Sequence, residues 1–469
     1  MRREEIRAAI ERDPEVVVDL VLSLMARVER LTAEVAELKL RLAQSSRNSS
    51  RPPSSDPPEA PKRSGHKRSG RKPGGQPGHE GRSREMVADP DETLAHPPER
   101  CDGCGGDLTD GEPVGDPVRH QVWELPQAVC SVTEHRRLRV RCPCCGKVTL
   151  AAVPAGVPAG AFGPNLCATV VALSAHMSRE QVAAFVKDNF GCPISAASVE
   201  AICKRASEAL AGAHEELQDA LPEQPVVHSD ETGWRWPSSR RWAWEMGTDQ
   251  IAVYHLTDTR SGRVARGLLG EDFKGILVSD RYAGYNWLDP SQRQACYSHL
   301  LRDFQALAER GGRIATLGRQ LKKTAAETIA IHKAHLAEGR LVCWSEPELL
   351  AHHDRLMELL EQGSRMRDKR TSRFCEGLLD IWPALWSFTE IQGVEPTNNR
   401  SERALRFAVL LRKRTGGTRC DHGDRFIERL LTVRETCRLQ GRNLHDYTLA
   451  ALTAALNGQP APSLLPSGP

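Results

Sequence analysis

The sequence predicts a multidomain protein of α/β plus α class, with a mixed-sheet core interrupted by a helical insertion. Three observations lead there. At 469 residues the chain is too long for one core and has room for roughly three domains. Three strand-like runs follow one another from residue 222 ("QPVVHSD", "RRWAWEMGT", "QIAVYHLTD"), and a helical stretch (260–271) then leads to a further strand, "GILVSD". Residues 300–390 are rich in Leu, Ala, Glu, Lys and Arg, in a helical pattern almost throughout. Charged residues make up 27% and hydrophobic ones 39%, the balance of a soluble globular chain with polar segments. No apolar run approaches the roughly 18–20 residues that span a bilayer, so no membrane partner is expected. The N-terminus, "MRREEIRAAIERDPE", lacks a signal-peptide core, and the expected compartment is the cytoplasm. Fourteen cysteines in such a chain point to thiols and metal ligands rather than disulfides.

Residues 1–43 read as a coiled-coil helix. Val21, Leu24, Val28, Leu31, Val35, Leu38 and Leu42 alternate steps of three and four, an a/d seam that favours a two-stranded parallel pair. An amphipathic helix packed on its own chain gives the same pattern. Residues 44–95 form a basic linker rich in Ser, Pro and Gly, with ten Lys/Arg against four Asp/Glu between Arg47 and Glu85. Such a segment cannot bury enough apolar surface to fold alone. It suits either phosphate tracking or a solvated connection.

Residues 96–150 carry two cysteine knuckles, "CDGCGG" (101–106) and "RCPCCGK" (141–147), with hairpin-forming residues between them. Cys101, Cys104, Cys142 and Cys145 are the expected ligands of one structural Zn²⁺, because paired thiolates on two turns suit tetrahedral zinc. The 37-residue interval is long for a compact ribbon, and Cys144 is a spare thiol. Redox chemistry is the weaker alternative. Residues 160–215 read as helices, with Ser178 and Ser195 as caps, a stop near Gly191, and Lys204 and Arg205 on the later helix. This pattern fits a DNA-reading helix-turn-helix or any helical hairpin.

Three acids stand out. Asp230 ends "PVVHSD" and Asp280 ends "GILVSD", and a carboxylate at the end of an apolar strand is costly unless something pairs with it. A cap or turn role is the plain alternative for each. Glu402 lies in "PTNNRSERALRFAVLLRKR" (396–414), in the first turn of a helix. Asn398 or Asn399 can cap that helix; with Asn399 as N-cap, Glu402 would hold the third helical position, where a capping-box glutamate belongs. Against that, nine Lys/Arg and four acids lie between Arg400 and Arg429, a basic strip suited to backbone phosphates. Three carboxylates can hold two Mg²⁺ (or Mn²⁺) ions roughly 3.5–4 Å apart. Glu231 should point to the other side of its strand, and His228 to the same side as Asp230. Strand order and acids together match a mixed α/β nuclease core. A non-catalytic dimeric zinc-containing DNA-binding protein and a structure-selective nuclease on the same fold both remain open.

In order along the chain, "NSSRPPSSD", "GRKPGGQPGHEG", the paired knuckles, "HSDETGW", "VSDRYAGY", "CYSHLLRDF", "NNRSERALR" and "TCRLQGRNLHDY" resemble the motifs of the insertion sequence 66 transposase family. The resemblance runs over nearly the whole chain. It implies a DDE transposase with a ribonuclease H-like catalytic domain: core first part 222–300, helical insertion 301–390, and core second part 391–425 with the third acid. C-terminal helices (426–458) and a loose tail (459–469) follow. Carried over by motif, Asp230, Asp280 and Glu402 are the catalytic, metal-binding acids. Cys296 and His299 fit a Cys-x-x-His pattern seen after the second acid in several such families, in a packing or a catalytic role. The implied partners are DNA (transposon ends and target), a second or further copy of the chain, and accessory proteins of the same element. The implied setting is bacterial and nucleoid-associated. Arg281, where a glycine is common, and "RKRTGGTRCDHGD" after Glu402 depart from the commonest pattern.

Overall fold

The computed structural model describes residues 13–42, 44, 48, 86–125, 129–340 and 346–466. Most of the basic linker therefore lies outside the described residues. The chain divides into two compact units, residues 61–131 and the remainder.

Helix α1 (Pro14–Leu42) opens the larger unit, and its seam residues from Val21 to Leu42 are exposed. Two three-residue strands, β1 (Arg139–Arg141) and β2 (Val148–Leu150), pair antiparallel. A helical layer follows: α2 (Pro164–Ser174), α3 (Arg179–Phe190), α4 (Ala196–Ala209) and α5 (Ala211–Asp219). The expected caps are present. Ser178 and Gln181 form a reciprocal capping box, Gly191 ends α3 in the left-handed conformation, and Ser195 caps α4. These helices share one apolar core with the sheet and with the helices after Glu402: Val182, Val199 and Ile202 pack with Tyr254, Leu405 and Phe426.

The sheet comprises β3 (Val226–Arg235), β4 (Arg240–Gly247), β5 (Ala252–Thr257), β6 (Ile276–Ser279) and β7 (Arg293–Ala295), in spatial order β5-β4-β3-β6-β7. The first three strands are an antiparallel meander, and α6 (Gly262–Leu269) crosses over to β6, which runs parallel to β3. β6, between β3 and β7, is buried along its whole length, as expected of a short apolar run covered on both faces. The insertion is helical as predicted: α7 (Tyr297–Ala308), α8 (Gly312–Ala337), α9 (Pro347–Ser364), α10 (Lys369–Leu379) and the short α11 (Ser387–Glu390). α12 (Asn399–Thr415), α13 (Asp421–Leu439) and α14 (Leu444–Leu456) complete the fold.

Side-chain parity sorts the core into three clusters. On one face of the sheet, Trp234, Ala243 and Tyr254 pack under α2–α4, α12 and α13, whereas Ile276 and Val278 pack under the insertion. On the opposite face, Val227, Trp244, Met246 and Leu277 pack with α5, α6 and α14. Residues 459–466, expected as part of a loose tail, are packed on the core. Leu464 is fully buried in that last cluster, Tyr447 donates to the carbonyl of Pro462, and Gln440 donates to that of Leu464.

Candidate active site

β3 and β6 pair in parallel with Val226 opposite Ile276, Val227 opposite Leu277 and His228 opposite Val278. Continued two residues on, this register sets Asp230 level with Asp280, both with the parity of Ile276 and Val278. The two aspartates therefore face the side of the sheet where the insertion and the α12–α13 cover meet. Asp230 Oδ1 accepts from the Glu231 N–H (2.9 Å), and Asp280 Oδ1 accepts from the Tyr282 N–H (2.8 Å). Among the described residues, neither aspartate has a side-chain cation as a hydrogen-bond partner. Burial raises the Asp230 carboxyl well above the usual carboxylate range, and the charges of Glu231, Asp280 and Glu402 raise it further. Two neighbouring aspartates without such a partner fit a divalent cation bound through oxygen.

Glu402 lies in the first turn of α12, but not as a capping-box residue. The N-cap is Asn398, the first of the two candidate asparagines, and its side chain caps nothing. Instead Asn398 Nδ2 donates to the carbonyl of Ser229 (2.7 Å), and Oδ1 accepts from His228 Nδ1 (3.1 Å). His228 thus does share Asp230's face, as a strut for the loop that carries Glu402. The Glu402 carboxylate is freed from the cap and turned towards α7. Its Oε1 lies 3.1 Å from Arg302 Nη2 and 3.6 Å from His299 Nδ1.

Cys296, immediately before α7, is fully buried, and its sulfur accepts the N–H of Asn398 at 3.1 Å. The Tyr297 N–H donates to the carbonyl of Pro396 (2.9 Å), which ties the start of α7 to the same loop. Among the described residues, Cys296, His299 and Glu402 form the one group of three ligand-type side chains whose donor atoms all lie within 4.8 Å of one another. The three acids are electrostatic neighbours but do not close to that distance.

Glu231 points away, as its parity predicts. Its carboxylate accepts from Tyr285 Oη (2.7 Å) and pairs with Arg260 on the opposite face. Directly across β3–β4 from Asp230 stands Glu245, wholly buried and ion-paired with Arg400 of α12. Arg400 also donates to the carbonyl of Ile251 (2.7 Å) through space left by Gly247, where a Cβ would come within 2.5 Å of the guanidinium. Arg281, the departure beside the second acid, pairs with Asp303 of α7 and lies over the Phe374 ring of α10, so it ties the insertion to the core. In the other departing tract, Gly416 and Gly417 have positive φ, and Thr418 accepts from Trp234 Nε1 (2.8 Å). Both departures build packing and leave the acids untouched.

The basic strip is only partly a surface. Arg400 is internal, and Arg429 donates to Ser207 (2.9 Å). Arg403, Arg406, Lys413, Arg414, Arg419 and Arg425 remain exposed, as do Lys204 and Arg205 on α4. Asn398 and Arg302 are the site residues that sequence reasoning missed. Their signals were the doubled asparagine before the third acid and an arginine three positions after His299, one helical turn along a face.

Each cysteine knuckle is a closed turn. In the first, the Cys101 N–H donates to Gly106 O (2.9 Å) and Gly105 has φ 73°. In the second, the Cys142 N–H donates to Lys147 O (2.8 Å) and Gly146 has φ 74°. Backbone N–H groups of Cys104 and Gly103 lower the Cys101 pKa, and those of Cys145 and Cys144 lower that of Cys142. Thiols so poised are suited to act as thiolate ligands. The described cysteines are all free thiols, and no helix among the described residues is long and apolar enough to cross a membrane.

Comparison with known proteins adds three family matches and one relative. The family "Transposase IS66 family" matches residues 159–425, more than half of the chain. The "zinc-finger binding domain of transposase IS66" matches residues 98–146, across both knuckles, and a family of unknown function, DUF6444, matches residues 1–85. An uncharacterized protein of Sinorhizobium fredii, y4hP, is 24% identical over 383 residues, covering 74% of this chain and 68% of that protein.

Proposed function

The chain belongs to the transposase IS66 family, and from that premise we propose that it cuts DNA at transposon ends and joins the freed 3′-hydroxyl to target DNA. The observation that carries this reading is the shared level and face of Asp230 and Asp280, with Glu402 as a charged neighbour. The strand order β5-β4-β3-β6-β7, an antiparallel meander followed by two parallel strands, supports a ribonuclease H-like core. Asp230, Asp280 and Glu402 would hold two Mg²⁺ (or Mn²⁺) ions. Such ions, when bound, lower the pKa of an attacking water or hydroxyl and stabilise the leaving oxygen.

The protein's own groups do the rest. Asn398 and His228 brace the end of β3 against the loop of the third acid. Exposed Arg403, Arg406 and Arg419 supply phosphate contacts that position the strand without reading its bases. Zn²⁺ is held by Cys101, Cys104, Cys142 and Cys145, and the zinc module, the basic linker and the 160–215 helices recognise the element's ends. The exposed seam of α1 pairs two copies, which suits a reaction that joins two DNA ends.

The test is Asp280→Asn. The variant should lose Mg²⁺-dependent strand cleavage while still binding end DNA. Retained cutting would overturn the site assignment, and a wild-type protein that cuts but never joins would point to a nuclease instead.

A further inference from the structure

We propose that Cys296, His299 and Glu402 form a second metal site, for a borderline-soft divalent ion with Zn²⁺ foremost, and that its occupation withholds Glu402 from the Mg²⁺ site. The donor atoms of the three side chains already lie within 4.8 Å of one another, from the N-cap and first turn of α7 and the first turn of α12. One sulfur, one imidazole nitrogen and one carboxylate oxygen make a donor set that prefers Zn²⁺ or Co²⁺ to Mg²⁺. With three protein ligands, the fourth position is left for water.

Two features separate this group from ordinary packing. Among the described residues, the buried His299 Nδ1 has no hydrogen-bond partner, and Glu402 Oε1 stands off at 3.6 Å, an expense a folded protein seldom leaves unexplained. The Cys296 sulfur accepts the Asn398 N–H at 3.1 Å, and that contact would hold a metal-bound thiolate in place. Arg302, 3.1 Å from Glu402 Oε1, opposes a cation there and would have to yield to it. The consequence is competition. A Glu402 drawn to a thiolate-bound Zn²⁺ is turned away from Asp230 and Asp280, so added Zn²⁺ becomes a brake on cutting that is separate from any zinc held by the knuckles.

The inhibitory half of this proposal rests on the DNA-cutting reading; the metal site itself does not. The experiment uses full-length protein with its knuckles loaded with Zn²⁺, titrated with Co²⁺ and followed by the thiolate-to-cobalt charge-transfer and visible d–d absorption. Wild type should gain one Co²⁺ with these bands, and Cys296→Ser and His299→Gln should lose it, with melting curves confirming that each variant is folded. In cutting assays with Mg²⁺, the Zn²⁺ concentration for half-inhibition should rise at least about tenfold in Cys296→Ser. Identical spectra in wild type and in a folded Cys296→Ser or His299→Gln protein would overturn the site. A protein that shows the Cys296-dependent band but never cuts DNA sinks the cutting reading and leaves the metal site standing. One that cuts with Mg²⁺ but shows no such band does the reverse.

Discussion

The side-chain amide of Asn398 donates to the carbonyl of Ser229 at 2.7 Å, one residue before Asp230 and four before Glu402. A single side chain thus spans the strand of the first acid and the helix of the third. Asn398→Ala would leave the Ser229 carbonyl and His228 Nδ1 without their partner, at about 1–3 kcal/mol for each group. Because the lost bonds set the distance between two acids, cutting should fall by about a hundredfold with DNA binding intact. Urea denaturation and single-turnover cleavage check the two halves separately. A stable variant with unchanged cleavage would refute the bracing role.

The buried Arg400–Glu245 pair predicts strong coupling. Removing one partner strands a charge with no solvent, so Arg400→Met or Glu245→Gln alone should cost about 3–5 kcal/mol. The double substitution should cost clearly less than the sum, as read from a double-mutant cycle in urea. Additive losses would mean that the pair is not an energetic unit.

His214 gives a pH dependence with a definite sign. Burial pulls its pKa down to about 4 from the ordinary 6.5, where its ring faces Thr432 at 3.1 Å, with Glu428, Arg429 and His255 nearby. Between those values the unfolded chain binds the extra proton, so stability is present above about pH 6.5 and drains away as pH falls towards 4. Relative to His214→Gln, wild type should lose roughly 2 kcal/mol more between pH 7 and pH 5. Parallel urea midpoints for the two proteins across that range would contradict this.

The buried end of the chain is the fourth test. Leu464→Ala should cost about 2–5 kcal/mol, a core-sized loss from a position eight residues beyond the end of α14, in an irregular segment. Thermal melting of this variant beside an exposed control, Leu465→Ala, decides it.

What was legible and what was not follows from range. β3 and β6 could be read because β-branched and apolar runs stop at an acid, and their common level follows from parallel pairing. The helices of the insertion showed themselves through local pattern, and Ser178 and Ser195 through local cap chemistry. β7 could not be read, since "RQA" has no strand signature and exists by pairing with β6. Glu402 looked like a capping residue because that rule is local, whereas Arg302 and Asn398 redirect it through contacts across about a hundred residues. Leu464 escaped for the same reason: two leucines among prolines and serines do not announce the groove that receives the first of them.

The hydrogen bond from Tyr297 to Pro396 has one more implication. The helical excursion departs and returns at a single point, with its own interior of apolar side chains between. A change of length within it need not stretch the doorway, so the carboxylates beneath can stay put while the roof above them is altered.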